Sequence, residues 1–110
     1  MSDRDNNVYL KDISESIEII FQHVRDLSEK EFSENILVQD AVFRRFEIIG
    51  EASKEISNEF KSKHPEIEWR LMRAMRNKLS HEYFGVTAAT VYHTVKSDLP
   101  LLLEKINALL

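Results

Sequence analysis

Apolar positions recur with helical spacing through most of the chain. Over residues 7–28 they follow a period of three to four, at Val8, Leu10, Ile13, Ile17, Ile20, Phe21, Val24 and Leu27. The spacing resumes over residues 34–63, after a polar interruption in which Ser33 is the predicted N-cap. No segment shows the sustained alternation that is typical of strands. The pattern therefore predicts an all-α fold.

Proline and glycine mark where the predicted helices end, because the chain contains only two of each. Pro65 is expected to end the second helix, and a third helix begins there and stops near Gly85. A fourth helical segment covers residues 88–110, with a kink or a break at Pro100. We therefore predict an antiparallel bundle of four to five helices, in a single domain over residues 1–110.

Composition narrows the class of protein. The chain has no cysteine, which excludes disulfides, thiolate metal sites and cysteine nucleophiles. Apolar residues make up 43% and charged residues 31%, which is typical of a folded domain. No apolar run approaches the length of a membrane span, and the first residues lack the apolar segment of a signal peptide. We therefore expect a cytoplasmic protein with no membrane attachment.

The placement of charge is more informative than its sum. The formal net charge of −4 argues against a general nucleic-acid binder that depends on bulk electrostatics. Residues 70–79, however, contain four cations and no acid: Arg70, Arg73, Arg76 and Lys78. The three arginines have i, i+3, i+6 spacing, which places them on one broad side of a helix. This side is either a solvated face or a local site for an anion.

The segment MRNKLSHEYFG, residues 75–85, contains the side chains that RNA cleavage without a metal requires. Histidine transfers protons near neutral pH, as at His81, and the planar fork of Arg76 matches phosphate oxygens. Asn77 can orient a phosphate oxygen and lies at i, i+4 from His81. Arg76 and His81 are about 140° apart on an ideal helix. A long arginine, an unwound last turn or a two-fold dimer could join them.

Each of these residues also has a structural explanation. Arg76 could form an ion pair with Glu47 or Glu51 of the second helix, and Asn77 could be an ordinary surface residue. His81 could interact with the helix dipole, which favours its protonated form. A tyrosine at this place, Tyr83, could be a half-buried aromatic.

Metal sites are poorly supported. The sequence after His81 lacks the second histidine of an H-E-x-x-H zinc site. Glu47, Glu51 and Glu55 form an i, i+4, i+8 row, but the Glu-x-x-His companion of a di-metal bundle is missing. We therefore predict no metal and no cofactor.

The same residues carry a resemblance to a known family. Arg76, four intervening residues and His81-Glu82-Tyr83 resemble the R-x4-H-x-Y motif of HepT-like toxins, which are HEPN-superfamily ribonucleases. The segments AVFRRFEIIGEASKEIS, PEIEWRLMRAMRNKLSHEYFGV and VYHTVKSDLPLLLEKI resemble that family in the same order, so the resemblance covers residues 8–108. Ala74 stands where many relatives have glycine, a change that favours the helix.

The resemblance implies a HEPN-like homodimer that cleaves RNA endonucleolytically without a metal, with tRNA as one type of target. Its motif assigns Arg76 and His81 as catalytic residues and Asn77 as their support. Such toxins pair with a minimal nucleotidyltransferase (MNT) antitoxin in a type II/VII-like toxin–antitoxin system, and can form hetero-oligomers with it. Tyr83 matches the tyrosine that the antitoxin modifies with AMP. From the basic face, we expect RNA binding by Arg73, Arg70 and Lys78.

Two other functions remain open. The first is a non-catalytic HEPN-type helical binding module that partners a nucleotidyltransferase, and the second is a structural helical dimer. The variant His81→Ala separates the nuclease from the binding module, because a module has no cleavage to lose. A nucleotidyltransferase encoded beside the gene would argue against the structural dimer.

Overall fold

The computed structural model describes the backbone of residues 3–81 and 88–110, and the side chains of residues 5–76 and 88–110. This part of the chain contains no strand and seven helices: α1 (Asp3–Val24), α2 (Glu29–Glu34), α3 (Ile36–Glu55), α4 (Asn58–Lys63), α5 (Trp69–His81), α6 (Ala88–Ser97) and α7 (Leu99–Asn107). The predicted all-α fold is confirmed. There are more helices than the four to five expected, because α2 forms in the polar interruption and two predicted helices are each divided.

The helix α2 is stabilised at its start by a capping box. Ser28 Oγ accepts a hydrogen bond from the Glu31 backbone N–H at 3.1 Å, and the Glu31 carboxylate accepts one from the Ser28 N–H at 2.9 Å. These bonds lower the pKa of Glu31, the backbone bond most strongly. The predicted cap at Ser33 is wrong, because Ser33 lies inside α2. Asn35 caps α3 instead, accepting from the Val38 N–H at 3.0 Å.

The predicted continuous helix over residues 34–63 is interrupted by a tertiary contact. Ile56 is extended and buried, and Ser57 then caps α4 by accepting from the Phe60 N–H at 3.2 Å. The Ser57 N–H also donates to Asn6 Oδ1 at 3.1 Å, so the polar groups at the break are satisfied across the fold. Because Asn6 is near the start of α1 and Ser57 follows the end of α3, the two helices run antiparallel.

The core lies where α3 packs between α1 and α5, with α7 against α1 and α6 beside α2. Apolar side chains supply it, and each of the following is at most 4% exposed: Leu10, Ile13, Ile17, Ile20, Val42, Phe46, Ile49, Met72, Met75, Val91, Val95, Leu99, Leu102 and Ile106. Burying such a side chain fully contributes about 1.5–3 kcal/mol, which is why one face of each long helix is apolar. Within the described ranges, no helix is both long enough and apolar enough to cross a membrane.

Both prolines act as the sequence predicts. The helix α4 ends at Lys63, before Pro65, and α7 begins at Leu99, so that Pro100 occupies its first turn. The helix α5 begins at Trp69, later than expected, and the Trp69 indole N–H donates to the His64 carbonyl at 2.9 Å. This bond ties the start of α5 to the end of α4. The expected stop at Gly85 lies outside the described residues.

Candidate active site and the adjoining basic cleft

The helix α5 has a buried face and a basic face. Met72 and Met75 are 0% and 4% exposed, whereas Arg70 and Arg73 are exposed and Arg76 is partly exposed. Their spacing along 3.6 residues per turn places the three arginines on the side that leaves the core. The basic side that the sequence predicts is therefore present on the surface.

The predicted catalytic residues are only partly described. The side chain of Arg76 is described, while Asn77, Lys78 and His81 are placed by their α5 backbone alone. His81 is the last residue of α5, which agrees with its predicted position in the final turn. Tyr83 lies outside the described residues. The approach of His81 to Arg76, and the role of Tyr83, stay predictions.

A close helix crossing positions Arg76. Gly50 is buried in the middle of α3, directly against α5. A Cβ atom added to Gly50 would lie 3.1 Å from the Met72 carbonyl oxygen and 3.2 Å from Arg76 Cα, and closer still to Arg76 Cβ. Because these atoms belong to the backbone or to the base of a side chain, they cannot move aside cheaply. Glycine at this position therefore lets Arg76 lie against α3.

Arg76 also forms an ion pair across this crossing. Its guanidinium Nε donates to the Glu51 carboxylate, and the two side chains are 39% and 53% exposed. The ion pair with Glu51 that the sequence left open is thus present. Exposed pairs of this kind contribute about 0–1 kcal/mol, so an incoming phosphate could compete with Glu51 for the arginine.

Arg76 lines a cleft of about 470 Å³ between α3, α4 and α5. Five cations line this basic cleft, and its described lining contains no carboxylate: Lys54, Lys61, Arg70, Arg73 and Arg76. The remaining lining residues are Gly50, Ser53, Asn58 and Trp69. The structure thus brings the three predicted arginines together with two lysines that the sequence did not single out.

The two lysines come from different helices. Lys54 lies one turn beyond Gly50 on α3, so its spacing from that glycine was a usable signal for the same helix face. Lys61 carried no such signal, because its position depends on the break that separates α4 from α3. Its ammonium nitrogen lies 5.8 Å from the centroid of the Trp69 ring. The pKa of Lys61 is lowered from its usual value, first by burial and then by the charge of Arg73.

Histidines and acids elsewhere do not form a rival site in the described part of the chain. The side chains of His23, His64 and His93 do not line the basic cleft. His64 instead contacts Glu66 at 3.2 Å, on the surface. No group of three or more histidine, aspartate or glutamate side chains is placed to hold a metal ion among the described residues. His81, five residues after Arg76 in α5, is the remaining histidine of the chain.

Comparison with known proteins identifies the family of this chain. Residues 13–109, nearly its whole length, match the family described as "Ribonuclease HepT-like". The chain belongs to the HepT-like ribonuclease family. The predicted resemblance to HepT-like proteins is thereby confirmed, and with it the assignment to a ribonuclease family.

Named relatives of the HepT-like chain agree with the family match. A protein of Thermococcus cleftensis named "Probable ribonuclease HepT" is 48% identical over 106 residues, which cover 96% of each chain. A protein of Methanocaldococcus jannaschii, by its name a candidate RNase, is 39% identical over 107 residues, covering 97% of this chain and 98% of the relative. A third, from Caldanaerobacter subterraneus subsp. tengcongensis and named in the same way, is 34% identical over 102 residues, covering 93% and 91%. No solved structure gives a significant match.

Proposed function

We propose that this HepT-like chain is a metal-independent endoribonuclease, the toxin of a type II/VII-like toxin–antitoxin system, with Arg76 and His81 as its catalytic residues. One observation carries the proposal: Arg76 lines a cleft with five cations and no described carboxylate, in a chain that belongs to a ribonuclease family. A local field of this kind can concentrate phosphates although the net charge of the chain is −4.

The chemistry follows from the residue types. A neutral His81 takes the proton of a ribose 2′-hydroxyl, whose oxygen then forms a bond to the adjacent phosphorus. The bond from phosphorus to the leaving 5′-oxygen breaks, and that oxygen takes up a proton. In the proposed homodimer the two motifs share one cleft, so the partner's His81 can supply that proton. Arg76 stabilises the negative charge of the pentavalent phosphorane, and Asn77 orients a phosphate oxygen.

Binding of the RNA strand is assigned to the basic face of α5. Arg70 and Arg73 line the basic cleft beside Arg76, which supports their proposed role, and Lys78 lies on the same helix. Arginine is suited to this role because its fork donates two hydrogen bonds to one phosphate. tRNA is the proposed type of substrate.

Control of the enzyme is assigned to Tyr83, two residues beyond His81. The MNT antitoxin would transfer AMP from ATP to its hydroxyl oxygen, which loses its proton as it bonds to the α-phosphorus, while pyrophosphate leaves. The added phosphodiester carries negative charge and bulk, which repel the substrate phosphate and occlude the site. A cytoplasmic location, one domain over residues 1–110, the homodimer and its hetero-oligomer with the antitoxin belong to the same proposal.

One observation favours a second function. Because Glu51 already engages Arg76, the chain could instead be a non-catalytic HEPN-type binding module that partners a nucleotidyltransferase. In that case the arginine has a structural role and no RNA is cut.

Cleavage of a small-RNA pool with EDTA present tests the proposal. Three proteins are compared: the wild type, His81→Ala, and His93→Ala as a matched control. The intact mass of the wild type must first show that Tyr83 carries no adduct. His93 is an exposed histidine of α6 that does not line the cleft. We expect the rate to fall about 10²–10⁴-fold in His81→Ala, since a positioned acid or base contributes that much, and to be kept in His93→Ala.

Three results would count against the nuclease. Cleavage that EDTA abolishes would show that a metal is required. Equal cleavage by wild type and His81→Ala would remove His81 from the site. Intact RNA after incubation with the unmodified wild-type dimer, across several RNA pools, would favour the binding module.

A further inference from the structure

The basic cleft reaches well beyond the helix that carries the motif. Lys54 projects from α3 and Lys61 from α4, while Arg70 and Arg73 line it from α5. From Arg70 to Arg76 the helix advances about 9 Å, at 1.5 Å per residue, which leaves room for more than one phosphate of a strand. Three helices therefore supply cations to one cleft.

Of the five cations that line the cleft, Arg76 alone is paired with a described carboxylate, that of Glu51. None of Lys54, Lys61, Arg70 and Arg73 has a described carboxylate within salt-bridge distance. The pKa of Lys61 is lowered first by burial and then by the charge of Arg73, so these two cations repel each other. An anion placed between them would relieve that repulsion. The exposed side-chain amide of Asn58 also lines the cleft and can donate hydrogen bonds to an anion.

We infer that the cleft formed by α3, α4 and α5 is a second phosphate subsite, in which Lys54 and Lys61 hold the RNA backbone next to the scissile phosphate at Arg76. The inference rests on the proposed nuclease, and it adds two lysines from helices outside the motif. The RNA strand would run along α5. The phosphate next to the scissile one would then contact cations on both sides of the cleft. Because lysine contacts phosphate as a point charge, the subsite would bind the backbone without reading sequence.

The arrangement suits a polyanion better than a single small anion. One inorganic phosphate can be satisfied by two or three cations, whereas this cleft offers five along its length. Arg76 is one of the lining cations, so a strand bound in the cleft also reaches the proposed cleavage point. An RNA strand carries a phosphate at every nucleotide and can therefore meet Arg76 and the lysines at the same time.

The test compares two double variants, each of which replaces two lysines and so removes the same positive charge. Lys54→Gln/Lys61→Gln removes the lysines of the cleft. Lys11→Gln/Lys63→Gln removes two lysines that do not line it, and Lys63 lies on α4 like Lys61. Both pairs are made in full-length His81→Ala protein, so that the probe is not cut. Binding of a short fluorescein-labelled single-stranded RNA is followed by anisotropy, with EDTA present and over a range of NaCl concentrations.

We expect the cleft pair to weaken RNA binding about tenfold or more, and to reduce the salt slope of log K by about 1–2. The control pair should change affinity by less than about twofold, because exposed charges away from the contact are screened. The charge-retaining variant Lys54→Arg/Lys61→Arg should keep most of the affinity. RNA affinity close to that of the parent protein in this arginine variant would show that a loss of affinity in Lys54→Gln/Lys61→Gln reflects the lost charge and not a damaged fold.

Three outcomes would overturn the subsite. Equal weakening by both glutamine pairs would show that only net charge matters. Unchanged affinity in the cleft pair would show that the lysines do not touch RNA. Displacement of the RNA by inorganic phosphate at equal phosphate concentration would show a site for a small anion.

The outcome is separable from that of the nuclease test. Cleavage by the wild type, together with normal RNA binding by the cleft pair, would leave the nuclease standing and remove the subsite. If the cleft pair loses RNA binding and the wild type cuts no RNA, the subsite is supported in a protein that binds RNA, and the proposed nuclease activity is contradicted.

Discussion

The two sides of α3 carry opposite charge. On the side toward α4 and α5, Gly50, Ser53 and Lys54 line the basic cleft, with five cations and no described carboxylate. On the side toward α1, a smaller groove of about 260 Å³, here called the acidic groove, contains three carboxylates and one arginine: Asp12, Glu51, Glu55 and Arg44, with Tyr9, Ile48 and Ala52. One helix therefore separates an anion-attracting surface from an anion-repelling one.

This separation would allow a chain with a net charge of −4 to bind a nucleic acid on one side, as proposed. Under cellular salt, exposed charges act over about 8 Å, so the surface nearest a phosphate matters more than the total charge. The two sides meet at one ion pair, in which Glu51 of the acidic groove contacts Arg76 of the basic cleft. Changes along α3 should therefore either merge the two surfaces or separate them further.

The largest effect is expected from Gly50→Ala, which forces α3 and α5 apart where the two surfaces meet. Alanine favours a helix by about 1 kcal/mol, yet its Cβ would overlap Arg76. Overpacking of this kind costs about 1–3 kcal/mol, so we expect a net fall in the free energy of unfolding. Urea unfolding measures it, and RNA cleavage should fall as Arg76 is displaced.

The control for this variant is Asp40→Ala, at an exposed position of the same helix. It should shift stability by no more than about 0.5 kcal/mol, as exposed substitutions do. A Gly50→Ala protein more stable than the wild type would contradict the close crossing.

The next largest effect is expected from charge reversal, which can be compared between the basic cleft and the acidic groove. Arg73→Glu places an acid among the cations of the basic cleft, whereas Arg44→Glu adds one to the acidic groove. We expect Arg73→Glu to weaken RNA binding about tenfold, which is about 1.4 kcal/mol, and Arg44→Glu to change it less than about twofold. Anisotropy with the same RNA probe measures both. Equal losses would show that the strand does not distinguish the two sides.

The smallest effect is expected at the ion pair where the acidic groove meets the basic cleft. Glu51→Gln removes a carboxylate that competes with phosphate for Arg76, while keeping the size of the side chain. Because exposed pairs contribute at most about 1 kcal/mol, RNA binding should tighten by only about two- to fivefold. Glu55→Gln, one turn further along the acidic groove, should tighten it less. Weaker binding in Glu51→Gln would instead make Glu51 a residue that positions Arg76.

Sequence periodicity predicted the long helices but missed α2 and the separation of α4 from α3. The apolar spacing of α1, α3 and α5 marks most of the buried faces, because burial itself selects apolar side chains at that period. Val8 and Ile36 also fit the spacing but are 55% and 70% exposed. The break between α3 and α4 was not predictable, since Ser57 is held by Asn6 from the far end of α1. A hydrogen bond between residues so distant in the chain leaves no local pattern.

By itself, the sequence determined the all-α class, the membership of the HepT-like family, and a cluster of arginines on one side of α5. These depend on periodicity, on short motifs and on the order of similar segments along the chain. Only the tertiary structure decided that Arg76 lies against Gly50 and pairs with Glu51, and that Lys54 and Lys61 join its cleft. The physical reason is that cations on separate helices act together only when packing brings those helices side by side.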